Sequence, residues 1–233
     1  MGRRSVSFVF VGVVLAILMQ LALSAHAGAA NKIWTPGTGT KPAAAVVKQG
    51  GDTYFQNDYP AELALLGTGD LQYNESVAPG IEKVNQLIIA TDATTSTGYS
   101  QGADVVERAA MVGPTDHEYT VESIGGPRST NGLGRIFPDL PGTTFVDEDA
   151  FPENVTVVRK IVNWDGVSNM PNPLSNPLGA FSAGIGVICY HGGGCPNEAS
   201  YNEFRVDYEQ VTEDGVIEQY MFVRHPIVAL AEQ

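Results

Sequence analysis

The chain has 233 residues, 43% hydrophobic and 17% charged, which is apolar enough for one large folded domain and excludes a disordered tail. Its 26 acidic residues outnumber 13 basic ones, and the net charge of −13 excludes a general nucleic-acid binder that works by neutralising phosphates. Twenty-six glycines and 14 prolines call for many turns and short elements.

Residues 1–27 read as an export signal. Arg3 and Arg4 precede the apolar run from Val6 to Leu23, and Ala25-His26-Ala27 supplies a small-x-small cleavage pattern. An uncleaved anchor is the competing reading, because the run approaches spanning length. The arginine pair also raises a twin-arginine signal, but Val6 stands where that pattern usually has Phe, so general secretion fits better. The mature chain is expected outside the cytoplasm: secreted, periplasmic or at the cell surface, with no membrane span after cleavage.

Residues 28–50 read as a flexible leader rich in Gly, Ala, Pro and Thr. Only Ala43 to Val47 has strand tendency there, and a sharper reading has that segment add to an open sheet edge of another copy. From residue 51 to 233 short apolar bursts alternate with turn residues. Val84 to Ala90, Asp104 to Val112, Glu118 to Ile124, Thr143 to Val146, Val155 to Trp164 and Phe181 to Tyr190 all read as strands. Helical pattern is thin: Tyr59 to Leu66 has room for two turns, and Ile81 to Ile89 fits helix or strand, with its Val and Ile content favouring strand. The two Asn-Pro steps at Asn172 and Asn176 read as a stiff surface loop. From Asn202 to Pro226 a hairpin is expected about the two-residue turn Asp214-Gly215. That turn pairs Glu213 with Val216 and puts Phe204, Val206 and Tyr208 on one face with Met221, Val223 and His225. These elements predict an all-β fold, an antiparallel β-sandwich or jelly-roll-like single domain.

Cys189 and Cys195 flank Tyr-His-Gly-Gly-Gly, and in an oxidising compartment they are expected to form a disulfide. The alternative is a metal site of Cys189, His191 and Cys195 with His225, which lacks the two-residue cysteine spacing of zinc knuckles.

Other candidate chemistry is sparse. Ser182, Asp207 or Asp214, and His225 follow the chain order of an α/β-hydrolase triad, and Ala180-Phe-Ser-Ala-Gly184 is one change from G-x-S-x-G. A glycine-interrupted β-prone run follows this serine where a helix is required, so no catalytic residue is assigned. A copper brace needs His26 as the first mature residue, with His117, His191 or His225 as second imidazole. Asp147, Glu148 and Asp149, with Glu153, offer oxygen ligands for calcium, although such a run is more often a solvated loop. No other cofactor is expected. Trp34, Trp164, Tyr190 and Tyr201 could stack on sugars, and Asn74 and Asn154 open glycosylation sequons.

These observations lead to a secreted, non-enzymatic structural or surface protein, a filament, matrix or cell-surface subunit. Its partners would be copies of itself or other surface components, and neither nucleic acid nor a membrane span is called for. A secreted ligand- or carbohydrate-binding module, calcium-dependent or not, is the alternative, and a secreted enzyme ranks third.

Overall fold

The structure, a computed structural model, describes residues 29–231 except 41–44, 114–115, 140–141, 144, 146–149 and 196–198. Its strands are β1 (Asn31–Thr35), β2 (Val46–Gln49), β3 (Asp52–Gln56), β4 (Thr95–Tyr99), β5 (Tyr119–Ile124), β6 (Val155–Val162), β7 (Tyr208–Val211) and β8 (Ile217–Met221). They form one sheet in the order β2-β3-β1-β4-β5-β6-β8-β7. The run from β3 to β8 is parallel throughout, and an antiparallel strand closes each edge. The helices are α1 (Tyr73–Thr91), α2 (Gln101–Val112), α3 (Leu133–Ile136), α4 (Pro177–Gly186) and α5 (Pro226–Ala231). This is an α/β architecture, and it overturns the expected all-β antiparallel sandwich.

Three expected strands are helices, each for an identifiable reason. Val84 to Ala90 lies inside α1, where Tyr73, Val77, Val84 and Ile88 are buried at helical spacing. The side chain of Glu75 accepts from the backbone N–H of Gln72 at 2.9 Å, part of a capping box that starts this helix. Asp104 to Val112 lies in α2, whose inner face buries Asp104 and Glu107 among its apolar residues. Arg128 and Arg159 pair with those two carboxylates, so the buried stripe does not look apolar in the sequence. Phe181 to Tyr190 spans α4 and a π turn at Val187–His191. Asn176 caps α4 by accepting from Gly179 N at 2.9 Å, with Pro177 in the first turn, so an expected loop is a helix start. Conversely, Tyr59 to Leu66 yields only one 3-10 turn, Ala64–Leu66.

Glu118 to Ile124 and Val155 to Trp164 contain β5 and β6, in parallel rather than antiparallel pairing. The C-terminal hairpin exists with a different register. Tyr208 opposes Tyr220 and Val211 opposes Ile217, which leaves a three-residue loop, Glu213-Asp214-Gly215. Gly215 takes φ 81°, the left-handed position such a loop requires. One residue of slip exchanges the faces of a strand; Glu218 therefore points inward to Arg159.

The segment read as a leader contributes to the sheet. Its β1 lies between β3 and β4 with Ile33 fully buried, and Val46 and Val47 of β2 pair with Phe55 and Tyr54 of the same chain. One apolar cluster joins Ile33, Val121 and Val157 to α1 and α2; a smaller one joins Val162 and Met221 to Cys189, Tyr190, Cys195 and Ala229. Val157 and Val162 differ by an odd number of positions along β6, so the clusters cover opposite faces of the sheet.

Candidate active site

A tight strand-to-helix turn lies at the carboxyl end of β4. Gly98-Tyr99-Ser100-Gln101-Gly102 passes from strand to α2 through Ser100 alone, which adopts φ 56° and ψ −119°. A residue with a Cβ holds such a backbone only when its surroundings dictate it. Ser100 N donates to Ile124 O at 2.9 Å, tying the turn to β5. A Cβ on Gly98 would lie 2.1 Å from Gly102 O, and one on Gly102 would lie 2.4 Å from the carbonyl oxygens of Thr35 and Pro36. The two glycines therefore allow strand, helix and the loop after β1 to meet beneath Ser100. Gly37 of that loop also passes close, since a Cβ there would stand 3.0 Å from Ser100 Cβ.

Two residues distant in sequence meet the serine. His191, at the end of the π turn, places Nε2 2.8 Å from Ser100 Oγ and Nδ1 2.8 Å from Asp165 Oδ2. Asp165 follows β6 and is fully buried. Its Oδ2 also accepts from Tyr201 OH at 2.6 Å and Ser168 Oγ at 3.0 Å, while Oδ1 accepts from Val167 N at 2.9 Å. A carboxylate facing only donors fixes the imidazole tautomer: Nδ1 carries the proton, and Nε2 is left to accept from the serine hydroxyl. Burial, reinforced by the Asp165 charge, pushes the Tyr201 phenol far above its ordinary range, so it remains a donor. Tyr99 stacks on His191 with ring centroids 5.0 Å apart, and its hydroxyl donates to the His191 backbone oxygen.

Cys189 and Cys195 are joined in a disulfide, so His191 lies inside the loop they close. From within it Gly194 N donates to the oxygen of Ile188, the residue before the loop, at 2.8 Å. A pocket of about 280 Å³ opens beside the histidine, lined by Trp34, Tyr99, Tyr190 and Tyr201 among others. Three of the four aromatics expected to form a stacking platform thus converge here, whereas Trp164 packs on His225. A larger cavity of about 720 Å³ lies under the β7–β8 loop and includes none of Ser100, Asp165 or His191.

The remaining expected residues are dispersed. Ser182 is buried in α4, Asp207 bonds Arg205 and Phe222 N, and Asp214 sits in the hairpin loop, so these form no triad with His225. The disulfide occupies both sulfurs of the expected metal set. Among the described residues no group of three or more His, Cys, Asp and Glu is arranged to hold a metal. Asp147, Glu148, Asp149 and the brace residue His26 lie outside the described residues, as does the expected signal, 1–27. His117 bonds Asp116 and Ala93 O instead of another imidazole. Asn74 lies in the first turn of α1, and Asn154 donates to His117 O.

The family model of the PE-PPE domain matches residues 53–230. The chain belongs to the PE-PPE domain family. Its β1 and β2 precede the matched residues, yet β1 is interior to the PE-PPE domain sheet. Among curated proteins none matches. Solved structures with partial likeness include an acetylxylan esterase (21% identity, 57% of this chain and 62% of that chain, TM-score 0.33). Others are the esterase domain of a Rhodothermus marinus protein (16%, 66% and 70%, 0.37) and prolyl oligopeptidase B from Galerina marginata (12%, 66% and 27%, 0.39). The chain spans less than two thirds of the first of these.

Membership in the PE-PPE domain family, with a serine–histidine–aspartate series on an α/β sheet, corrects the expectation of a non-enzymatic structural protein. The motif that would have shown it is literal in the sequence. Gly98-Tyr-Ser-Gln-Gly102 matches G-x-S-x-G at every fixed position, and the order serine, aspartate, histidine follows. The surroundings of Ser182 depart from that motif at one position, Ala180.

Proposed function

We propose that this PE-PPE domain is a serine hydrolase of carboxylic esters, with Ser100 as nucleophile, His191 as general base and acid, and Asp165 as orienting carboxylate. The observation that carries this reading is the unbroken series Ser100 Oγ, His191 Nε2, His191 Nδ1, Asp165 Oδ2, with 2.8 Å at each hydrogen bond. In the first half-reaction Ser100 Oγ attacks the ester carbonyl while Nε2 takes its proton, and the imidazolium then returns that proton to the departing alkoxide. Water repeats the sequence on the acyl-serine and releases the acid. The negative oxygen of each tetrahedral intermediate needs donors beside the serine. In this reading the donors are the N–H of Gln101, the residue after the nucleophile and first of α2, and an N–H of the loop at Gly37, which passes close to Ser100.

The domain acts outside the cytoplasm in this reading, supported by the apolar run 6–23 and the disulfide. Among the described residues no helix is long and apolar enough to cross a membrane.

A fluorophosphonate probe tests the assignment. Wild-type protein should be labelled on Ser100 and should hydrolyse a p-nitrophenyl ester, and Ser100→Ala should lose both properties. Labelling at another serine, or unchanged turnover in Ser100→Ala, would overturn it.

A further inference from the structure

The helix that leads into the catalytic histidine turns apolar side chains outward. Leu178, Phe181, Ile185 and Ile188 recur at helical spacing along α4 and the π turn, and Leu174 precedes them. Leu174 is 94% exposed, Leu178 79%, Phe181 64% and Ile188 62%, while Ser182, Ala183 and Gly186 supply the buried side. This is the reverse of the usual arrangement, in which the apolar stripe faces the core. The neighbouring α5 exposes Ile227, Val228 and Leu230 as well. The α4 row alone presents on the order of 500 Å² of apolar surface, comparable to the largest patch of a typical monomer, which is often functional.

Charge and position identify the occupant. Between Asp165 and Glu198 the sequence has no Asp, Glu, Lys or Arg, in a chain of 26 acidic and 13 basic residues. A stable protein partner covers about 800 Å² per side and is ringed by a polar rim. The row is smaller, and its own segment supplies no charge for such a rim. Uncharged apolar side chains on a helix suit the hydrocarbon boundary of a neutral lipid layer. The π turn that continues α4 carries His191, so the exposed row lies on the same chain segment as the residue facing Ser100. We propose that α4 and its π turn dock the protein on an uncharged lipid surface, from which the ester substrate enters the site. The substrate half of this inference rests on the hydrolase reading; the docking half does not.

The test is flotation of the full-length chain with phosphatidylcholine vesicles, comparing wild type with the double variant Leu178→Asp/Phe181→Asp. Both side chains are largely in solvent, so the fold should be kept, and turnover of a water-soluble short-chain ester should stay within about twofold. The vesicle-bound fraction and hydrolysis of an emulsified long-chain ester should each fall about tenfold or more. Wild type that stays in solution, or equal flotation of the two proteins as expected if residues 6–23 bind the vesicles, would overturn the docking. So would a dimer on size exclusion that the double variant abolishes without any vesicle binding. Flotation as expected with no ester turned over rejects the hydrolase reading and leaves the docking; turnover without flotation does the opposite.

Discussion

Asp165→Asn separates a triad from a coincidental hydrogen-bonded cluster, because every group facing the carboxylate is a donor. On Oδ2 these are His191 Nδ1, Tyr201 OH and Ser168 Oγ, and on Oδ1 the backbone N–H of Val167. An amide has to turn its NH₂ to one side. Facing Val167, it sets two fixed donors 2.9 Å apart, which costs about 1–3 kcal/mol. Facing the other side, both hydroxyls can rotate to accept, and the imidazole can move its proton to Nε2. The second arrangement is favoured by that difference, and in it Nε2 no longer accepts from Ser100. At about 1.4 kcal/mol per decade, roughly one molecule in ten to one in a hundred keeps the competent tautomer. That fraction also lacks the negative charge that stabilises the imidazolium, so kcat should fall about 10⁴-fold, as in other triads of this type. Steady-state hydrolysis of a p-nitrophenyl ester, corrected for active sites with a fluorophosphonate and with near-ultraviolet circular dichroism as a fold control, measures it. A folded Asp165→Asn protein within about tenfold of wild type would refute Asp165 as the orienting group.

Gly98→Ala puts a methyl 2.1 Å from Gly102 O. It should force α2 from β4, lower stability by about 1–3 kcal/mol and reduce fluorophosphonate labelling of the folded fraction, read from denaturant midpoints and labelling yield. Glu218 links stability to acidity. Burial pushes its carboxyl up, but Thr130 N, Gln210 Nε2 and Tyr220 OH donate to it, and the net position is below its ordinary 4.5. Its contribution is complete above 4.5 and is lost as pH falls through the lower folded value. The urea midpoint of wild type should therefore exceed that of Glu218→Gln at neutral pH, with the gap closing on acidification.

The parts of the fold legible in the sequence are those where side chains alone decide. β5 and β6 have enough alternation and β-branched residues to declare themselves. α2 does not, because Asp104 and Glu107 stand on its buried face and their arginines come from β6 and the segment after β5. β1 offers only Asn-Lys-Ile-Trp-Thr between Gly- and Pro-rich stretches, and its interior place comes from parallel pairing with β3 and β4. In the site, Ser100 carries a readable local signature. His191 lies 91 residues further on and Asp165 26 residues before it, and neither has a local pattern that distinguishes it. Only the order of strands in the sheet brings them to one rim.

The disulfide changes when the catalytic histidine becomes ordered. A loop containing three consecutive glycines has many accessible conformations when open, and fixing His191 in one of them costs conformational entropy. The Cys189–Cys195 bond restricts that ensemble from both sides of the residue. In the proposed hydrolase the imidazole is thus held against Ser100 before any substrate arrives, because the bond has already removed part of the cost of ordering it.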